Sequence, residues 1–383
     1  MPERGFPTQE YVDRLARAQR LMAKSGLDAL LLTTEQEVRY FTGYLTRFWE
    51  SPTRPWFLIV PAAGKPVAVI PSIGAALMGQ TWIDDIRTWT SPDLSDDGIS
   101  LLTNALAELT PVKARIGVPD GHETQVRLPL ADFGQLRQNL QDRELTGDYG
   151  LIRQLRMIKS AREVSKITQA CAISGRAFAR VPEIAAEGIA LDQIFRRFQM
   201  LCLEEGADWV PYLAGGAEQG GYADVISPAR DIPLSRGDVL MLDTGLVHDG
   251  YFCDYDRNWS VGAADQAVQD AHAKLVEAVS VAARIARPGA RASDLFHVMN
   301  DLLSADAGGT DAGRLGHGVG MSLTEWPSLI PTDHTELAAG MVLALEPGIA
   351  VGDKILVHEE NVLITENGPE FLSPRADPEI PTL

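Results

Sequence analysis

The chain has 383 residues, more than one compact domain ordinarily holds, so two domains with separate cores are expected. Hydrophobic residues at 45% and charged residues at 22% exclude a disordered or fibrous chain. The 34 basic side chains set against 52 acidic ones leave a net charge of -18, which repels phosphate backbones and anionic membrane surfaces and so excludes both as partners.

Three cysteines, Cys171, Cys202 and Cys253, are too few and too far apart for a disulfide framework or a zinc ribbon. The first residues, MPERGFPTQEYVDRL, carry charge where a signal peptide needs an apolar run. Nor does any run approach the ~18 apolar residues of a membrane span. A cytoplasmic protein is expected.

In chain order, Thr8 is expected to cap a helix with Tyr11, Leu15, Ala18 and Met22 on one face, ending at Gly26. Asp28 to Thr34 reads as a strand, and Trp56 to Val60 joins Pro66 to Pro71 in a hairpin. Helices and strands alternate to about residue 150, including a short strand through Gly117. That pattern is an α/β domain. Beyond it, helical periodicity covers 161 to 183, 190 to 204, 265 to 287 and 292 to 304. Strands are expected at Gly237 to Leu246, Gly250 to Val261, Met341 to Leu345 and Lys354 to Thr365. An antiparallel sheet flanked by helices follows from this second half.

Three of those strands carry an acid where the pattern asks for a hydrophobe. Val239-Leu-Met-Leu-Asp243 ends an apolar run in a carboxylate, and Asp254 follows eleven residues later. A reversal with His248 and Asp249 at its tip sets Asp243 directly opposite Asp254, with Cβ atoms ~5 Å apart. A reversal centred on Asp249-Gly250 sets Asp254 diagonally, on the same face. Like charges so placed repel unless a proton or cation intervenes. Glu346 closes the run MVLAL, Glu359 lies between two apolar runs, and His317 stands in Gly316-His-Gly-Val-Gly320.

Asp243, Asp254, Glu346 and Glu359 supply four negative charges, which two divalent cations neutralise, and His317 adds a neutral ligand. Mostly carboxylate oxygen with one imidazole suits Mn²⁺ first, with Co²⁺, Zn²⁺ and Fe²⁺ as alternatives. Two ions ~3.5 to 4 Å apart polarise a carbonyl and activate water, the chemistry of two-metal hydrolases.

The order Asp, Asp, His, Glu, Glu resembles the pita-bread metallopeptidases: methionine aminopeptidase, Xaa-Pro aminopeptidase, prolidase and their relatives. Asp243-Thr-Gly, Gly250-Tyr251 and Asp254-Tyr-Asp-Arg257 look like the first ligand hairpin. Gly316 to Gly320, Glu346-Pro-Gly348 and Val357-His-Glu359-Glu-Asn look like the other ligand segments. With Leu155-Arg-Met-Ile-Lys-Ser160, the likeness runs from about 155 to the end. The first part resembles the creatinase-type N-terminal domain, most clearly at Arg39-Tyr-Phe-Thr-Gly43, which favours the Xaa-Pro and creatinase branch. The resemblance implies an α+β protein: a creatinase-like α/β domain over 1–155, then a pita-bread catalytic domain over 156–383 with a curved antiparallel sheet flanked by helices. It also implies that Asp243 and Glu359 bridge two metals, Asp254 completes one, and His317 with Glu346 the other. Glu346 is the implied general base, with His317 beside it in the catalytic set.

Departures from the family are specific. A second histidine seven residues after the ligand histidine is Thr324 here, and residues 200 to 242 hold no histidine where relatives place another. Thr324, Glu325 and Tyr222 are the candidate substitutes for substrate binding. Glu325-Trp-Pro327 is similar to a phrase in dimethylsulfoniopropionate lyases of this fold, although Ser322-Leu-Thr324 offers no acid before it. His358, beside Glu359 on an expected strand, points away from the metals, and Arg257 is expected to anchor the hairpin. His334, in a Pro-Thr-Asp loop, could reach substrate. Trp49, Arg54 and Trp56 mark a contact surface in the first domain, and in this family such a loop approaches the neighbour's site, so residues 44 to 56 are expected to shape the pocket of a homodimer.

The leading expectation is hydrolysis of a peptide or peptide-like amide in a small molecule or short peptide, as by an Xaa-Pro dipeptidase or aminopeptidase. The alternatives are a dimethylsulfoniopropionate lyase or a small-amide hydrolase of the ectoine or creatine type, and, as another class, a binding-only pseudoenzyme. Creatinase and pseudoenzymes lose metal ligands, whereas this chain keeps all five.

Overall fold

The computed structural model describes residues 4–51, 55–304 and 313–383. Arg54 lies outside the described residues. The chain divides into two compact units, Met1–Arg156 and Met157–Leu383.

In the first unit, the helix Thr8–Ser25 buries Tyr11, Arg14, Leu15, Ala18 and Met22 and stops where Gly26 turns left-handed at φ 65°. Thr8 is the first helical residue and Pro7 occupies the cap, one place earlier than the sequence suggests. Six strands follow: β1 (Ala29–Leu32), β2 (Phe57–Pro61), β3 (Val67–Pro71), β4 (Asp85–Trp89), β5 (Arg115–Val118) and β6 (Glu144–Gly147). They form one mixed sheet in the order β4-β3-β2-β1-β5-β6, with β2 and β3 as the expected hairpin. Leu31, Phe57, Ile59 and Ile116 pack with Leu102, Leu106 and Leu136 of two helices. Each such side chain contributes ~1.5–3 kcal/mol on burial. Arg39 to Thr42 ends a helix, Glu35–Thr42, whose first turn is fixed by a capping box between Thr34 and Glu37.

In the second unit, the helices Ala161–Ala179, Leu191–Glu204, Gln266–Ile285 and Ala292–Ser304 lie where the periodicity places them. The strands are β7 (Trp209–Gln219), β8 (Asp238–His248), β9 (Tyr251–Phe252), β10 (Tyr255–Ser260), β11 (Gly316–Gly318), β12 (Glu325–Ser328), β13 (Val342–Leu345), β14 (Gly348–Val351), β15 (Lys354–Val357), β16 (Glu360–Thr365) and β17 (Gly368–Phe371). One sheet runs β10-β8-β7 with β9 on β8, a second runs β12-β11-β13-β16-β17, and β14 pairs β15.

Three differences from the sequence reading matter. β8 continues past the expected end at Leu246 to His248, so Asp243 lies at its middle although it closes the apolar run. Lys354 to Thr365 is two strands in different sheets, because His358 N donates to Pro347 O and Glu359 N to Asp256 Oδ1 instead of to ladder partners. The long strand β7 has no counterpart in the sequence reading. Among the described residues no helix is long and apolar enough to cross a membrane.

Candidate metal centre

Asp249 and Gly250 both have positive φ, 46° and 74°, the conformation a two-residue primed hairpin turn demands and Asp-Gly supplies. Lys166 pairs with the Asp249 carboxylate, and Asp208 Oδ2 accepts from Asp249 N at 2.6 Å. This centring gives the second of the two registers open to the sequence. Asp243 faces Asp256 across the ladder, and Thr244 faces Tyr255. Asp254 is two residues from Asp256, so the side-chain period of two keeps it on the same face.

The other ligand segments come from the five-stranded sheet. β11 is squeezed between β12 and β13. A Cβ on Gly316 would stand 2.3 Å from Ala344 O, and one on Gly318 would stand 2.5 Å from Trp326 O. Glycines on both sides of His317 let the strands close on it. Glu346 follows β13, its N–H donating to Leu315 O at 3.1 Å. Glu359 sits at the break between β15 and β16.

His317 Nδ1 lies 2.9 Å from Gly318 O. A carbonyl only accepts, so in the neutral ring Nδ1 carries the hydrogen and Nε2 presents a lone pair. That lone pair faces Asp254 Oδ2 at 3.4 Å and Glu346 Oε1 at 3.7 Å. Three acceptors turned on one another require a cation or a proton between them. One donor atom each from Asp254, His317 and Glu359 lies within 4.8 Å of the other two, a grouping able to hold a metal ion. Asp243 and Glu346 flank this group.

Electrostatics agree with the geometry. Burial, followed by repulsion from Asp256 and Glu346, pushes the Asp243 carboxyl well above the usual carboxylate range. Burial, then Asp243 and Glu346, does the same to Asp254, and burial, then Asp254 and Asp243, to Glu359. Asp243 Oδ1 and Glu359 Oε1 are buried without a hydrogen-bond partner among the described residues. Orphaned carboxylate oxygens in such a place fit divalent cations.

Several residues that the sequence reading passed over shape this cluster. Asp256 Oδ1 accepts from Glu359 N at 3.0 Å. Asn361 donates to Asp254 O at 2.5 Å and accepts from Asp254 N at 2.9 Å. Tyr212 on β7 hydrogen-bonds Asp243, and its hydroxyl is pushed up by burial and then by that carboxylate. Arg314 reaches Glu346 and Thr324. Period-two counting from Asp254 and Glu359 would have found Asp256 and Asn361; nothing in the sequence marks Tyr212 or Arg314.

Not every candidate is available to a substrate. Tyr222 is fully buried, its oxygen accepting from Val357 N at 2.7 Å and its hydroxyl donating to Asn258 Oδ1 at 3.2 Å. Glu325 is buried and occupied by Lys159 at 3.0 Å, and it also accepts from Met321 N and Ser322 N. Trp49 is 8% exposed, packed on Trp56 and under the Arg127 guanidinium within the first unit. Thr324 alone of the four stays at the cluster's edge. His358 is buried with Nδ1 3.4 Å from Asp256 Oδ1, and its ring 5.9 Å from that of His272. His334 is exposed beside Ser293. Arg257 donates to Glu359 O at 3.2 Å and grips both oxygens of Glu360, which ties the hairpin to β16.

Comparison with known proteins adds independent evidence. The model of metallopeptidase family M24 matches residues 165–366, and that of the creatinase/prolidase N-terminal domain matches residues 14–158. The probable dipeptidase PepE of Mycobacterium tuberculosis is 30% identical over 97% of this chain and 98% of its own. The Xaa-Pro dipeptidase of Pyrococcus horikoshii is 29% identical over 64% of this chain and 71% of its own. Among solved structures, dipeptidase PepE from Mycobacterium ulcerans superimposes with a TM-score of 0.84 at 29% identity, over 99% of both chains.

Proposed function

Because this chain belongs to metallopeptidase family M24 and is a metal-dependent hydrolase, we propose that it cleaves short Xaa-Pro-type peptides with a pair of divalent ions held by Asp243, Asp254, His317, Glu346 and Glu359. Mn²⁺ is the best match to four carboxylates and one imidazole. The observation that carries the reading is the His317 Nε2 lone pair turned toward Asp254 and Glu346.

Asp254 lies on the His317 side of the cluster, grouped with Glu359. Together with Asp243 and Glu346, these side chains would hold the ions. Divalent ions supply Lewis-acid polarisation of the scissile carbonyl and acidification of water. The chain's own residues do the rest. Glu346, 28% exposed where His317 is 2%, is the carboxylate a substrate meets, and it takes the proton from water and passes it to the leaving nitrogen. Asp256, Asn361 and Tyr212 hold the acids in place, and the walls around Asp254 and Glu359 keep bulk water out.

The lyase reading finds no acid in Ser322-Leu-Thr324, and Lys159 holds Glu325 at 3.0 Å. Metal content after purification without chelators, followed by a panel of Xaa-Pro dipeptides, longer Xaa-Pro peptides and dimethylsulfoniopropionate with added Mn²⁺, tests the proposal. Turnover of the sulfonium compound alone, or of nothing with a full metal load, would sink it.

A further inference from the structure

Successive side chains of β10 turn to opposite faces of its sheet. Asp256 faces Asp243 and the acid cluster, so Tyr255, Arg257 and Trp259 turn the other way. Behind them lies a second cavity, of about 380 Å³, bounded by the end of the helix Ala161–Ala179 and by residues 374–381. That size holds a small ligand. The 374–381 wall is fastened at four points. Ala376 N donates to Glu360 Oε1 at 2.8 Å, His272 Nε2 to Asp377 O at 3.1 Å, Ile380 N to Gln269 Oε1 at 3.1 Å and Ser260 N to Pro381 O at 2.8 Å.

The floor of this cavity is aromatic: the Phe178 ring centroid lies 5.2 Å from that of Tyr255 and 6.0 Å from that of Trp259. Its mouth carries exposed charges of both signs, Arg375 against Asp377 and Glu379. Among the described residues Arg375 has the Phe371 ring and the Ser280 hydroxyl as partners and no carboxylate, and neither acid has a basic partner. His272, 2% exposed, completes the wall. Because its Nε2 donates to a carbonyl, its Nδ1 is an acceptor, and that atom is buried without a partner among the described residues. A buried lone pair in a cavity wall calls for an N–H or O–H donor.

Unpaired charges of opposite sign above a bed of rings fit a molecule that carries an ammonium and a carboxylate on one carbon and an apolar ring beneath them. We propose that this rear cavity binds a free amino acid with an aromatic side chain, its ring among Phe178, Tyr255 and Trp259, its carboxylate on Arg375 and its ammonium toward Asp377 and Glu379. Arg257 joins the two faces of the strand: it donates to Pro374 O in the cavity wall, to Glu359 O at 3.2 Å and to both oxygens of Glu360. Free amino acids are what a peptidase releases, so the site would meet product. That meaning rests on the peptidase reading, whereas the binding does not.

The test is calorimetric titration of the full-length Mn²⁺-loaded protein with L-phenylalanine. One saturable site is expected. 3-Phenylpropionate, phenethylamine and glycine, which lack the ammonium, the carboxylate and the ring in turn, should each bind about 10- to 100-fold more weakly. Arg375→Met should weaken L-phenylalanine by a similar factor. Ala179→Trp, which fills the cavity from the exposed last residue of its helix, should abolish binding. Both variants lie outside the acid cluster and should keep wild-type Mn²⁺ stoichiometry and basal activity. No saturable binding tighter than about 1 mM overturns the inference, as does equal affinity for L-phenylalanine and any of the three analogues. So does unchanged affinity in Ala179→Trp at normal melting temperature, which would put the amino acid elsewhere on the protein. Failure to cleave any peptide would sink the peptidase reading and leave these titrations to decide on the cavity.

Discussion

Asp243 and Asp256 face each other across the β8–β10 ladder, and both carry a buried oxygen without a hydrogen-bond partner among the described residues. Burial, followed by the Asp256 charge, pushes the Asp243 carboxyl well above the usual carboxylate range, so this face of the ladder calls for a neutralising cation.

The first prediction follows from the raised carboxyls of Asp243, Asp254 and Glu359, each driven up by burial before any neighbour acts. An acid whose folded value exceeds its unfolded one binds more protons when folded, so stability falls as pH rises from the unfolded value of about 4 through the raised ones. Chelator-stripped protein should therefore melt at progressively lower temperature as pH climbs above about 4, and saturating Mn²⁺ should remove that slope. Calorimetric scans of both forms across pH 4 to 8 check it; a flat profile for the stripped form would count against the cage.

Asp256 contributes a backbone anchor for Glu359 rather than a ligand of its own in the five-residue set. Asp256→Ala should weaken metal affinity about 10- to 100-fold while leaving the fold intact, as loss of supporting groups around metal ligands commonly does. Titration with Mn²⁺ read by calorimetry would show it, and wild-type affinity would assign Asp256 to scaffold alone.

Lys159 and Glu325 form a buried pair at 3.0 Å that also ties down the Met321 and Ser322 amides. Removing one partner strands a charge, so Lys159→Met should cost about 3–5 kcal/mol. Lys159→Met combined with Glu325→Gln should recover much of that loss, because the amide still accepts the two backbone bonds. Denaturant unfolding of the single and double variants gives the coupling directly.

Much of this centre was legible because an acid ending or interrupting an apolar strand is chemically conspicuous. Asp243, Asp254, Glu346 and Glu359 stood out that way, and His317 stood out among its glycines. The supporting groups were harder to see. Asn361 acts on the backbone of a residue far away in sequence, and Arg314 is one arginine among many until the fold sets it beside Glu346. β7 escaped because Leu213-Ala-Gly-Gly-Ala217 at its centre has neither alternation nor strong strand formers; its pairing with β8 outweighs that weak propensity. The break at His358 and Glu359 lies between two apolar runs that read as one strand, so the period-two argument used for His358 assumed a strand that stops at Val357.

Glycine placement offers a fourth test. A methyl on Gly318 would stand 2.5 Å from Trp326 O and 2.9 Å from Glu325 O, both backbone atoms that cannot swing away. Gly318→Ala should cost about 1–3 kcal/mol by forcing β12 off β11, and should lower bound metal by disturbing His317. Melting temperature and metal stoichiometry measured on one sample check both halves.

The two-residue turn at Asp249-Gly250 has an implication for how the chain can vary. Inserting a single residue there would rotate every following side chain of the hairpin by half a pleat, sending Asp254 and Asp256 outward and bringing Tyr255 and Arg257 toward the acids. The length of this one loop is therefore as much a part of the metal-binding chemistry as the identity of the carboxylates it aligns.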